Sequence, residues 1–217
     1  FLGGLAFTTG LILVVVGGAE LFTGNNLIIM AFASRKVTFA SLMRNWIIVY
    51  IGNFVGSVAT AYIMFQSQQY TFGANAIGLT ALNIGNFKCG LGFIQAVALG
   101  IMCNALVCLA VWLCYSARST ADKIFSIIPP IAAFVAAGFE HSVANMYFIP
   151  IALFVKFFNP TFYTKAVEVA GKDFSNLTWG NFLGGNLLPV TIGNIIGGAV
   201  MVGLVYWFAY LRTAKKS

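Results

Sequence analysis

Charge is what this sequence has least of. Only 8% of its 217 residues are Asp, Glu, Lys or Arg, against roughly a quarter in a soluble globular domain. With 60% apolar residues on top of that, a soluble fold is excluded and the chain belongs in a lipid bilayer. Histidine occurs once, so the usual zinc ligand set is out of reach. The patterns H-E-x-x-H and G-x-S-x-G are absent, which disfavours the intramembrane hydrolase that a Glu-His pair would otherwise suggest. Cysteine is sparse too: Cys103, Cys108 and Cys114 share one apolar run and Cys89 stands just before it, at spacings that match no metal motif. They read as small packing residues, and neither metal nor cofactor is expected. Nor does any stretch alternate polar and apolar residues over about ten positions, as a membrane strand requires. What remains is an all-α integral membrane protein.

Long apolar runs are what is there. Five segments, about 1–33, 45–65, 91–116, 124–157 and 182–211, are joined by short polar loops. Leu91–Tyr115 and Phe182–Leu211 reach the roughly 20 residues that carry a helix across about 30 Å of hydrocarbon. The first and fourth segments are too long, because about 33 residues would make a helix of about 50 Å. Each contains a place to break: "VGGAELFTGNN" from Val16 and "GFEHSVANM" from Gly138 mix glycine, asparagine and an acid into apolar sequence. Backbone released from helical hydrogen bonding at membrane depth must be buried in protein or line a cavity. The two breaks therefore point to a path through the membrane, and a purely structural scaffold would leave them without a reason.

The chain also resembles itself. Gly18-Ala19-Glu20 aligns with Gly138-Phe139-Glu140, 120 residues on, and the same offset sets Asn25 against Asn145. "NWIIVYIGNFVGS" from Asn45 aligns with "NLLPVTIGNIIGG" from Asn186, 141 residues on, matching Asn45/Asn186, Gly52/Gly193, Asn53/Asn194 and Gly56/Gly197. Two matches in the same order indicate an internal duplication, and partners three segments apart cross the membrane in opposite senses. Inverted repeats with paired broken helices place a conduction or binding site near the bilayer midplane. The organisation expected is a single transmembrane channel domain over 1–217, in which residues 1–66 belong to the first repeat, 89–211 form the second repeat and 158–181 make an external loop. The segment 91–116 lacks a partner and Phe1 is not a methionine, so a sixth helix is expected ahead of residue 1.

Basic residues give the orientation. Arg35, Lys36, Arg44, Arg118, Lys123, Arg212, Lys215 and Lys216 fall on one side, against Lys88, Lys156, Lys165 and Lys172 on the other. By the positive-inside rule the first group is cytoplasmic, together with the C-terminus. These charges form no stripe of the kind that binds nucleic acid, and no such partner is expected.

Taken together, "GGAELFTGNN" (17–26), "NWIIVYIGN" (45–53), "ALGIMCNALVCLAVW" (98–112), "GFEHSVANM" (138–146) and "LLPVTIGNIIGG" (187–198) resemble the formate/nitrite transporter family, whose members carry small monovalent anions such as formate, nitrite or hydrosulfide. The resemblance implies an aquaporin-like fold of six transmembrane helices, assembled as a homopentamer in the cell inner membrane with one pore per subunit. It makes His141 the central histidine and Thr23 its partner across the pore. Phe7, Leu11, Leu21 and Phe22 match the apolar positions that narrow the pore from one repeat, and Phe134 and Val107 those from the other. Lys88 matches the lysine at the outer entrance, and Asn104 and Asn145 match polar positions near the histidine. After Thr23 this chain has Gly24-Asn25-Asn26 where formate channels tend to carry hydroxyl residues, so hydrosulfide, formate and nitrite stand side by side as substrates.

The rest follows from cost. An anion entering a dry pore loses its hydration, at several kcal/mol even after relaxation, and an imidazole can change charge near physiological pH to offset it. An intramembrane ionisable group is functional by default, which assigns that task to His141. Glu140 and its repeat partner Glu20 are read instead as braces for broken backbone, because Glu20 has no neighbouring histidine.

Overall fold

A computed structural model describes residues 2–212, and all its regular elements are helical. In chain order they are α1 (Leu2–Val15), α2 (Phe22–Ala33), α3 (Phe39–Gln66), α4 (Ala76–Cys89) and α5 (Phe93–Ser116). They continue with α6 (Thr120–Ala136), α7 (Ser142–Phe158), α8 (Pro160–Ala170) and α9 (Asn181–Leu211). α3, α5 and α9 are long and apolar enough to cross a membrane. On α3, Ile47, Ile51, Val55 and Ile63 are all more than half exposed, an apolar stripe at helical spacing that calls for lipid or another protein surface rather than water. Lys215 and Lys216, counted on the cytoplasmic side, lie outside the described residues, as does the C-terminus.

Both long apolar segments are interrupted. α1 ends at Val15, Gly18 turns the chain at φ +76°, and helix resumes at Phe22. α6 ends at Ala136, Gly138 turns the chain at φ +71°, and helix resumes at Ser142. Turns and restarts are each 120 residues apart, the offset already present in the sequence. Left-handed backbone is open to glycine without the penalty a Cβ brings, which gives the Gly18/Gly138 match its physical content.

Two stretches read as loops are helices. Ala76–Cys89 forms α4, so Lys88 sits in the last turn of a helix. Its sequence, with Asn83, Asn86 and two glycines, gives little intrinsic helical or apolar signal. The partner α7 supplies what the sequence lacks: a Cβ at Gly85 would come within 2.7 Å of Ala152 Cβ, so the two helices meet at a distance only glycine permits. Within 158–181, Pro160–Ala170 forms α8, inclined 109° to α7. Its start has a local cause, since Asn159 Oδ1 accepts from the Phe162 amide at 3.0 Å and proline follows at the first helical position.

The helices group into two compact units. One comprises the chain up to Ile51, Val97–His141 and the chain from Val190 on; the other comprises Gly52–Ala96 and Ser142–Pro189. In the first, α1 packs along α6 and the Asn26–Ile28 turn packs against α9. In the second, α4 packs along α7.

Candidate functional site

The first unit brings both breaks to one place. Leu21 is extended ahead of α2 at φ −126° and ψ 119°, which puts Thr23 in the opening turn of that helix. His141 is the last residue before α7. Thr23 Oγ1 and His141 Nε2 lie 3.0 Å apart, though 118 residues separate them in sequence. Both are buried, with 0% and 5% exposure. A hydroxyl can donate or accept, so the bond survives either imidazole tautomer. Aromatic rings wall the imidazole: Phe134 stacks on it at 5.9 Å between centroids, Phe7 meets it edge-on at 6.4 Å, and the two phenylalanines touch at 5.5 Å.

Phe134 belongs to an apolar cluster that also holds Leu11 and Val107, with Phe7, Leu21 and Phe139 packed against it. Five of the six apolar candidates thus gather in one region. The sixth, Phe22, is buried but turns to α3, where its ring meets Tyr50 at 4.9 Å and Trp46 at 6.1 Å.

A polar brace ties the two breaks together. Asn104 of α5 aims its side-chain amide at the Thr23 carbonyl (3.2 Å), the Asn194 carbonyl (2.7 Å) and Asn26 Oδ1 (2.9 Å). Asn194 of α9 donates in turn to the carbonyls of Gly100 (2.9 Å) and Glu140 (3.0 Å), while the Glu140 amide donates to the Leu99 carbonyl at 3.3 Å. The carbonyls of Thr23, just after the first break, and of Glu140, within the second, therefore end on two buried asparagines, as backbone in a dry region requires. The Glu140 side chain is 1% exposed.

Glu20 and Asn145 belong to a second arrangement that occurs twice. In the first unit Asn25 Nδ2 donates to Glu20 Oε2 and, at 2.9 Å, to Asn45 Oδ1. In the second unit Asn145 Nδ2 donates to Asn186 Oδ1 at 2.7 Å. Asn25/Asn145 and Asn45/Asn186 are the repeat partners of the sequence, so the duplication is expressed as the same amide-to-amide tie in each half. Asn186 Nδ2 also donates to the Lys88 carbonyl at 2.9 Å, which places Lys88 and Asn145 in the second unit. Gly24-Asn25-Asn26, the departure after Thr23, thus supplies two structural ties, Asn25 to Asn45 and Asn26 to Asn104.

Sequence reasoning about the site passed over Asn26, Asn186 and Asn194. Buried asparagines carry no spacing signature, and the available signal was the internal alignment, where Asn45/Asn186 and Asn53/Asn194 are the matched polar pairs. Among the described residues no group of three His, Cys, Asp or Glu side chains could hold a metal ion.

Comparison with known proteins agrees with this picture. A family model described as formate/nitrite transporter matches residues 1–208. The formate channel FocA of Escherichia coli K12 is 50% identical over 211 residues, covering 97% of this chain and 74% of FocA. The formate channel BtFdhC of Bacillus thuringiensis is 39% identical over 212 residues, covering 97% and 73%. Among solved structures, a pentameric formate channel with formate bound superposes with a TM-score of 0.87 at 47% identity, covering 97% of this chain and 83% of that one. An FNT family ion channel superposes at 0.79 with 29% identity, covering 95% and 75%.

Proposed function

The chain belongs to the formate/nitrite transporter family, and on that premise we propose that it is a channel for small monovalent weak-acid anions, with formate first and hydrosulfide or nitrite after it. Its relatives are named as channels and transporters, so the protein is a membrane transport protein and not an enzyme. The protomer is an aquaporin-like inverted repeat with one pore, five protomers assemble as in the solved relative, and the assembly sits in the cell inner membrane with its basic loops in the cytoplasm.

The observation that carries this reading is the buried 3.0 Å contact between Thr23 and His141 against the rings of Phe7 and Phe134. An anion arriving there leaves water behind and meets one group able to give a proton and one hydroxyl able to orient it. A weak-acid anion that takes the proton crosses the apolar constriction of Phe7, Leu11, Leu21, Val107 and Phe134 as a neutral species, while Phe22, turned to α3, packs behind it. Chloride gains only attraction from the same site. Lys88 serves as the cation at the outer entrance, and Asn104, Asn145, Glu20 and Glu140 keep the interrupted backbone in place. The same titratable imidazole supports an alternative, a proton-coupled carrier on this fold.

The test is anion flux in liposomes at about pH 5.5 and 7.5 for wild type, His141→Asn and Glu140→Gln, with size-exclusion profiles of each. His141→Asn is expected to assemble normally, to lose the pH dependence of flux and to change the order of anions. Glu140→Gln is expected to lower assembly instead. A well-assembled His141→Asn channel with unchanged pH response and selectivity overturns the mechanism.

A further inference from the structure

The turn between α2 and α3 is an open cleft of about 520 Å³ lined by Phe32, Ala33, Arg35, Lys36, Val37 and Thr38. We propose that it binds the phosphate headgroup of an anionic phospholipid.

Two features make the cleft cationic and rigid. Arg35 and Lys36 are adjacent and exposed, and neither has an acidic partner among the described residues. α2 ends in a closed cap: the amides of Ser34, Arg35 and Lys36 bond to the carbonyls of Met30 (3.0 Å), Phe32 (2.8 Å) and Ala31 (2.9 Å). The negative end of that helix is therefore satisfied within the turn and leaves the cations free to attract an anion. The cap needs a left-handed residue, and Arg35 fills it at φ +59°, where glycine would sit without strain. Trp207 of α9 fixes the turn from outside, its indole N–H donating to Ser34 Oγ at 3.0 Å.

A third feature selects lipid over a free anion. Phe32 and Phe39 flank the cations, their rings 5.9 Å apart and 37% and 60% exposed. Exposed phenylalanine rings at the end of an apolar helix bury themselves at the boundary between headgroups and acyl chains. Cations at that depth take lipid phosphate, while the two rings take the glycerol and the upper acyl chain. Inorganic phosphate would use the cations alone and gain nothing from the rings. The attraction of an anionic leaflet amounts to about fivefold in affinity for each basic side chain near it.

The experiment uses the whole channel, stripped of lipid in mild detergent and titrated with phosphatidylglycerol, phosphatidylcholine or inorganic phosphate. Binding is counted by native mass spectrometry and melting temperature is followed alongside. Wild type is expected to retain phosphatidylglycerol and to melt higher with it, and to respond to neither phosphatidylcholine nor phosphate. Arg35→Gln combined with Lys36→Gln is expected to weaken phosphatidylglycerol binding about 25-fold and to leave formate flux per channel unchanged. Arg35→Gly relieves the left-handed strain, so it is expected to fold at least as well as wild type while binding about fivefold more weakly. Equal phosphatidylglycerol binding by the double variant overturns the proposal. So does a response to phosphate or to phosphatidylcholine as large as the response to phosphatidylglycerol.

Discussion

His141 meets Thr23 where Asn104 holds the Thr23 carbonyl and Asn194 holds that of Glu140, the residue before His141. The site thus has two kinds of residue, and substitution separates them. Thr23→Val keeps the shape and removes the hydroxyl, leaving one buried partner unmet at about 1–3 kcal/mol. It is expected to assemble, to melt a few degrees lower and to alter flux. Asn104→Leu strips donors from three acceptors at once, so its loss in melting temperature and assembly is expected to exceed that of Thr23→Val several-fold. Comparable melting curves for the two variants would contradict the bracing role. His141 stood out in the sequence as an ionisable residue in an unusual polar stretch of an apolar run, whereas Thr23 came only through the family resemblance. Asn26 and Asn194 were not legible, because what makes them matter is the group that lies opposite, the Asn104 amide 78 positions from Asn26 and the Gly100 carbonyl 94 positions from Asn194.

Elements show the same contrast between local and tertiary causes. α6 announces its start, with Ser119 accepting from the Asp122 amide and Asp122 reaching back to the Ser119 amide, and Ser119→Ala is expected to cost about 1 kcal/mol in thermal unfolding. The breaks announce themselves through glycine: at φ +76° and +71°, Gly18→Ala and Gly138→Ala are each expected to destabilise by about 1–2 kcal/mol, read as paired shifts in melting temperature. A shift in one variant alone would mean that the two turns, alike in sequence, are not alike in load. α4 was hidden because its helicity rests on contact with α7 through Gly85. Helix propensity is a weak prior that tertiary packing overrides, and single-chain patterning has no access to the partner. α8 was half hidden: Asn159-Pro160 is a good helix start, but it follows so closely on α7 that the sequence reads as one long departure from the membrane.

At the scale of the whole molecule, five chains of 23.3 kDa give a detergent-extracted particle of about 115 kDa of protein, expected by light scattering with the detergent subtracted. A stable monomer in mild detergent would remove the pentamer from the proposal. The all-helical membrane architecture was plain from composition, because 8% charge and apolar runs of spanning length admit few alternatives. Within that architecture the asparagine brace has a mechanical consequence. Asn104 and Asn194 are each bonded to more than one backbone strand, so the spacing of Thr23 and His141 is fixed from within the protein core. The exposed isoleucines of α3 take no role in that brace. Bilayers of different thickness impose tilt at a cost of fractions of a kcal/mol per Å of mismatch, small beside the loss of several buried hydrogen bonds. If Thr23 and His141 select the anion as proposed, the ratio of permeabilities between two anions should therefore stay constant from short-chain to long-chain lipids even where the total flux changes.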